Sequence, residues 1–257
     1  MNCKNCNHPL KENQKYCDNC GAKVIRNRLT PKVLAHQVNE QFLSIDNKLL
    51  RTFIDLFNKP EDVISGYIKG TRKKYIDVLQ YFAISLTLAG FQAFLILTFF
   101  KEQLDVSNEF MNSVQNAPGN EKNPFKGLKF DDFMQYQGLI YIATLPFSIV
   151  STWLAYVIVG DKRLNFTEHC VLNIYYNSQV IIVTAVISII MLLLNWNYLF
   201  FSAVITIPMF LYLWYILKRV FNDQFLDSFA KWMLTIVIYG ICYFAVMMII
   251  AIIPFII

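Results

Sequence analysis

The sequence predicts an all-α integral membrane protein, a five-span helical bundle with cytosolic amphipathic helices and a small N-terminal zinc ribbon. Three observations predict it. From Val78 onward the chain holds five long stretches free of Asp, Glu, Lys and Arg, each near the roughly 20 apolar residues that cross a bilayer. The stretch before Val78 is polar and basic. Four of the six cysteines fall between positions 3 and 20, as two Cys-x-x-Cys pairs. Composition agrees: 56% of the 257 residues are hydrophobic and 16% charged, against about half and a quarter in soluble domains. The domain plan is a ribbon over 1–29, an amphipathic helical bridge over 30–77 and a transmembrane domain over 78–257. The first thirty residues have no apolar core, so no secretory leader is expected.

The cysteine spacing is Cys3-x2-Cys6-x10-Cys17-x2-Cys20. Four thiolates suit one tetrahedral ion at about 2.3 Å. Asn7 and Gly21 follow the second cysteine of each pair, and both residue types tolerate the left-handed backbone that such a knuckle needs. One structural zinc held by Cys3, Cys6, Cys17 and Cys20 is the reading; iron is the alternative. His8 reads as a surface residue because four thiolates already fill the shell. A module this small builds no core, so the metal supplies its folding energy. The closed shell implies no catalytic zinc.

In the bridge, Thr30-Pro31 opens a helix with a capping side chain and proline at the first position. Leu34, Val38, Phe42 and Ile45 continue it at helical spacing. A second helix is expected from near Asp46, with Leu49, Leu50, Phe53, Ile54 and Phe57 as its apolar face and Pro60 as its stop. A further turn or two is expected over Glu61 to Lys69. Periodicity leaves open whether these helices lie on the membrane or pack on the bundle. Lys69, Arg72, Lys73 and Lys74 precede the first span and are candidates for contact with anionic lipid, besides marking topology.

The expected spans are Val78–Phe100, Gly138–Val159, Val171–Leu194, Tyr198–Leu217 and Trp232–Ile257. Asn195-Trp196-Asn197 joins the third to the fourth. Tyr81, Phe99, Tyr141, Trp196, Tyr198, Trp214, Tyr215 and Trp232 suggest an interfacial aromatic belt. With the N-terminus inside, 19 Lys and Arg lie on the cytosolic side and 4 outside, so the C-terminus is expected outside. The outer loop, Lys101 to Gln137, reads as a small cap or a flexible connection. Cys170 and Cys242 read as small hydrophobes.

The expected span interiors carry no ionisable residue. The polar series His169, Asn173, Asn177, Thr184 and Ser188 lies on one face of the third span, with Glu168 at its inner edge. Two readings compete: interhelical hydrogen bonding, or a polar site in which Glu168 and His169 handle a proton or headgroup at a watery mouth. No phosphate loop, nucleophile elbow or His-Glu-x-x-His motif occurs. No catalytic or cofactor-binding residue is assigned.

The stretches "CKNC…YCDNCGAK", "LLRTFIDLFNKPEDVISGYIKGTRKKYIDVLQYF" and "FTEHCVLNIYY" together resemble the bacterial domain-of-unknown-function family 3667. The resemblance implies a zinc ribbon joined to several spans in a bacterial inner membrane, and it implies no activity. The five-span plan is also similar to Yip1-like membrane proteins, at the level of architecture. The leading functional expectation is a scaffold, adaptor or regulator that meets a protein partner through the ribbon and residues 30–77. The alternative is a transporter or channel component for an apolar or zwitterionic solute. An enzyme acting on lipid ranks third. Nucleic acid is disfavoured, because Lys4, Lys11, Lys15 and Lys23 have only Tyr16 as an accompanying aromatic.

Overall fold

Helices account for all regular structure among the described residues, apart from two isolated β-bridges in the cysteine-rich tip. The computed structural model describes residues 2–25, 30–33, 48–117, 127–194, 196 and 198–256, with side chains at 198, 199, 201, 247 and 249–256 outside the description. The expected apolar series Leu34, Val38, Phe42 and Ile45, the helix start near Asp46, the Pro118-Gly119-Asn120 turn, and Asn195 and Asn197 lie outside the described residues. The chain divides into two compact units, Met1–Asn47 and Lys48–Ile257.

In the first unit the two cysteine pairs fold as matching knuckles, described with the site below. Thr30 Oγ1 accepts the amide of Val33 at 3.2 Å, capping the helical turn that opens at Pro31.

The second unit begins with two short helices, α1 (Lys48–Asn58) and α2 (Pro60–Ile68), with Pro60 at the first turn of α2. Five long apolar helices follow: α3 (Val78–Phe99), α6 (Gln137–Ile158), α7 (Phe166–Leu193), α8 (Tyr198–Phe221) and α9 (Phe225–Ile256). Each is long and apolar enough to cross a membrane. Large apolar side chains stand exposed along them, among them Leu79, Phe94, Leu139, Ile207 and Phe244, each more than half exposed. A surface that apolar calls for lipid around it. Two of these helices start earlier than hydropathy predicts: α7 at Phe166 and not Val171, α9 at Phe225 and not Trp232. Hydropathy reports only the lipid-compatible part of a helix. The added polar turns are held by a cap in α7 and by ion pairs in α9.

Alternation of five spans gives the unit two ends. The end that carries α1 and α2 also carries the short loops between α6 and α7 and between α8 and α9. The other end is covered by a single 3-10 turn (Lys101–Leu104), α4 (Asp105–Gln115) and α5 (Phe130–Gln135). The Lys101–Gln137 loop, over its described residues, is an ordered cap at that end. Ile96, Leu104, Met134 and Leu192 form its core. Asn108 donates to Asp131 and accepts from the Phe130 amide, and Gln115 bonds the backbone of Gly127 and Leu128.

The α1–α2 segment packs on the bundle. Its buried face is Thr52, Leu56, Val63 and Ile64, and these join Tyr81, Tyr156, Leu172, Tyr175, Ile216 and Leu217 in the main core. The expected apolar stripe is thus only partly inward: Leu50, Ile54 and Phe57 are exposed, while the polar Thr52 is buried. Thr52 is tolerated because its hydroxyl donates to Lys48 O and accepts from the Ile76 amide. The expected aromatic belt is corrected in the same way. Tyr81 is 0% and Trp232 8% exposed, and Tyr215 spends its hydroxyl on α1. Phe99 and Trp196 do stand exposed.

The last carbonyls of a helix lack intrahelical partners. In α1 they are met by side chains from the spans. Tyr212 Oη donates to Leu56 O at 3.0 Å and Tyr215 Oη to Phe57 O at 2.8 Å. One turn earlier, Gln179 Nε2 donates to Phe53 O at 3.1 Å while its Oε1 accepts from Tyr81 Oη. Gln179 and Tyr212 lie well inside their helices, Tyr212 about 14 Å of helix before the end of α8. So α1 docks at a level inside the ends of the spans. The linker locks the same region: Tyr75 Oη donates to Asp55, Tyr175 Oη to Ile76 O, and Asp77 caps α3.

Gln179→Leu removes the second donor to Phe53 O and leaves the buried Tyr81 hydroxyl unpaired, so it should cost about 2 kcal/mol. Tyr212→Phe should cost about 1 kcal/mol, and the exposed Ile54→Ala less than either. Thermal unfolding in a neutral detergent measures all three.

Candidate metal centre and polar clusters

The candidate metal centre is built from two copies of one backbone device. The amide of Cys3 donates to His8 O at 2.8 Å, and that of Cys17 to Ala22 O at 2.9 Å. The amide of Asn7 donates to Cys3 O, and that of Gly21 to Cys17 O, both at 2.9 Å. Asn7 and Gly21 have φ of 59° and 69°, the left-handed turn expected of them. All four Sγ atoms of Cys3, Cys6, Cys17 and Cys20 lie within 4.8 Å of one another, with Cys3–Cys20 at 3.7 Å and Cys6–Cys17 at 3.6 Å. A tetrahedron with 2.3 Å metal–sulfur bonds has edges of about 3.8 Å, so the cluster can hold a metal ion. All six cysteines are free of disulfides. His8 Nε2 lies 3.4 Å from Asp18 Oδ1. A hydrogen bond from Asn5 draws the Cys20 thiol down to about 6. Cys6 is lowered by the His8 backbone, yet hydrogen bonding to Cys20 and burial outweigh this and push it up to about 11.

The polar face of α7 closes on α6 and α3. Asn173 is fully buried. Its Oδ1 accepts from Ser148 Oγ at 2.6 Å, and its Nδ2 donates to Thr152 Oγ1 at 2.7 Å and His169 O at 2.8 Å. Asn177 Nδ2 donates to Ser148 Oγ at 3.3 Å and to Asn173 O at 2.8 Å. His169 Nδ1 lies 3.3 Å from Thr152 Oγ1. The Thr152 hydrogen goes to Ile149 O, so the histidine fits as the donor. Ser188 accepts from Gln92 Nε2 at 3.1 Å, and Thr184 bonds its own helix.

Two placements correct the expected watery mouth. His169 is 1% exposed, beside the paired rings of Tyr156 and Phe221, because α7 begins a turn before the apolar run. Glu168 is spent on the cap: its carboxylate accepts from the Asn165 amide at 2.7 Å, and Asn165 accepts from the Glu168 amide at 2.9 Å. No hydrogen bond among the described residues joins Glu168 to His169, Asn173 or Asn177.

Sequence reasoning missed Thr152, although it stands one helical turn from Ser148, the spacing that separates Asn173 from Asn177. It also missed an ion network at the α1–α2 end. Lys231 Nζ lies 2.7 Å from both Asp161 and Asp223, and Arg163 contacts both acids and Phe221 O. The signal was one aspartate in each short loop beside a lone lysine in an apolar helix. Arg163 holds Asp161 well below the usual carboxylate range, against the opposing effect of burial, and Asp161 in turn raises Arg163.

These features define a multi-pass helical membrane protein with an N-terminal four-cysteine cluster. Residues 46–90, which hold α1, α2, the linker and the first half of α3, match the family described as "Protein of unknown function (DUF3667)". The match bears out the resemblance read from that stretch. No curated protein and no solved structure matches the chain.

Two outcomes follow. Asn173→Leu removes the interhelical bonds to Thr152 and Ser148 and should cost about 1 kcal/mol of bundle stability in detergent, with Glu168→Gln milder. Asp161→Asn should lower the melting temperature at pH 7. A depressed aspartate stabilises above its unfolded pKa and loses that contribution as pH falls toward its folded value. The gap between wild type and Asp161→Asn should therefore be constant from pH 8 to 5 and shrink below about pH 4.

Proposed function

We propose that this protein is a non-enzymatic scaffold, adaptor or regulator of a bacterial inner membrane. Its N-terminus is cytosolic and its C-terminus is on the outer side. One structural zinc, held by Cys3, Cys6, Cys17 and Cys20, folds the ribbon. A protein partner is met through the ribbon and residues 30–77. The closed four-thiolate cluster carries this reading, because it leaves the metal no position for a substrate and makes the ribbon a rigid recognition surface. The α7 polar groups support it by bonding one another. Twelve of the 16 Lys and Arg from Lys48 onward lie at the α1–α2 end, which supports that end as cytosolic. Lys69, Arg72, Lys73 and Lys74 would there meet anionic lipid, and the exposed stripe Leu50, Ile54 and Phe57 would meet the bilayer. The Yip1-like likeness stays an analogy of architecture.

A cavity of about 190 Å³ favours the transporter reading as the second. It is lined by Gln92, Gln137, Tyr141, Thr184, Ser188 and Thr206. Ligand pockets run from about 300 Å³ upward, so it suits a few waters better than a solute.

The test is affinity capture from solubilised membranes with the full chain and with residues 1–29 removed. The adaptor reading predicts a partner lost on truncation; a partner set unchanged by truncation contradicts it. The same preparation should hold one zinc per chain by elemental analysis, and Cys17→Ser should release it while the spans stay inserted. Stoichiometric iron would refute the zinc assignment. A C-terminal reporter fusion that reads as cytosolic would refute the topology.

A further inference from the structure

A cleft opens at the α1–α2 end of the Lys48–Ile257 unit, between α2 and the last turns of α8. Its volume is about 970 Å³. One wall is the α2 face Glu61, Asp62, Ser65 and Lys69; the other is Tyr215, Lys218 and Arg219; Thr71 and Lys74 close it from the linker.

The charges in this cleft are not equally available. Arg219 is bound to Glu61 through both guanidinium and carboxylate. Asp223 is held by Arg163 and Lys231. What remains is Lys69, Lys74 and Lys218 against the carboxylate of Asp62, with Asp55 also acting on Lys74 from beside Tyr75. None of these three lysines is in an ion pair among the described residues. Lys74 and Lys218 lie over the rings of Tyr75 and Phe225, contacts that hold an ammonium without neutralising it. Ser65 and Thr71 add hydroxyl donors. Three lysines and two hydroxyl-bearing residues lining one space supply a donor set for a phosphate oxyanion.

The cleft also adjoins an apolar surface. Tyr215 lines it and bonds Phe57 O, and on that same helix α1 Phe57 and Ile54 are exposed at 39% and 44%. Its wall is the end of a membrane-spanning helix. A charged recess bordered by exposed apolar side chains at the end of a span fits an amphiphile better than a free ion. The volume exceeds that of a bare phosphate and admits a glycerophosphoryl group.

We propose that this cleft binds the phosphate headgroup of an anionic membrane lipid, with Lys69, Lys74 and Lys218 as the anion-binding residues and the acyl chains lying along Ile54 and Phe57. The inference rests on the membrane-protein reading of the fold and not on the adaptor role, so a failed affinity capture leaves it standing. It differs from diffuse attraction to the juxtamembrane cluster by including Lys218 and excluding Arg72 and Lys73, which do not line the cleft.

The experiment uses the full chain in a neutral detergent, with binding read by native mass spectrometry and by thermal shift. The probes are dioctanoyl phosphatidylglycerol, dioctanoyl phosphatidylcholine and inorganic phosphate at equal concentration. Phosphatidylglycerol should bind and stabilise; the other two should do so at least tenfold more weakly. Lys69→Gln, Lys74→Gln and Lys218→Gln should each weaken phosphatidylglycerol binding about fivefold, while the double variant Arg72→Gln/Lys73→Gln should change it less than twofold. Equal binding of phosphatidylcholine would overturn the anion site, and equal binding of inorganic phosphate would overturn the lipid source. An equal loss in the Arg72/Lys73 variant would reduce the site to surface charge. The comparison of probes on the wild-type chain decides the first two points without any variant.

Discussion

A backbone carbonyl out of water must find a donor, and much of this fold follows from how α1 meets that demand. Its last turn ends beside the spans, where Tyr212 and Tyr215 supply the donors that water would supply at a free surface, and Gln179 adds a second donor to Phe53 O one turn earlier. Gln179 can serve only if its oxygen is also satisfied, which Tyr81 does from α3. One amide therefore ties α1, α3 and α7 together. Once α1 is fixed, Thr52 fixes Ile76, Asp55 fixes Tyr75 and Asp77 starts α3. The stretch that matches the family, 46–90, is the stretch whose polar atoms make these contacts.

The same economy governs the rest of the membrane unit. Asn173, Asn177, Ser148, Thr152 and His169 satisfy one another, and Asp161, Asp223, Arg163 and Lys231 nearly cancel in charge. Groups used up this way position helices and leave little for a substrate. Ammonium groups without carboxylate partners remain at the α2–α8 cleft, which is why ligand chemistry is sought there and not along the polar face of α7.

Much of this was legible in the sequence. Spans can be read because the bilayer imposes a length and an apolar content. The cysteine cluster can be read because a tetrahedral ion imposes a spacing, and Asn7 and Gly21 mark its turns. The helix breaks at Thr30-Pro31 and Pro60 can be read from local chemistry. What could not be read depends on which chain segments meet. Thr52 looks like a flaw in an apolar face until Ile76 is beside it. His169 looks exposed at the edge of an apolar run until Asn165 and Glu168 are seen to extend α7 past it. Asp161 and Asp223 look like ordinary loop charges, since neither loop alone says that Lys231 lies between them. Tyr81 and Tyr215 look like interfacial anchors because composition does not tell a tyrosine facing lipid from one bonded to a neighbouring helix.

The docking of α1 within the span ends is the claim on which the rest stands, and hydrogen exchange of the full chain in lipid nanodiscs tests it most directly. If side chains of α7 and α8 seal α1 to the bundle, the amides of residues 52–58 exchange as slowly as those of α3 and α7. Exchange as fast as in a solvent-exposed surface helix, with the spans still protected, would contradict the account.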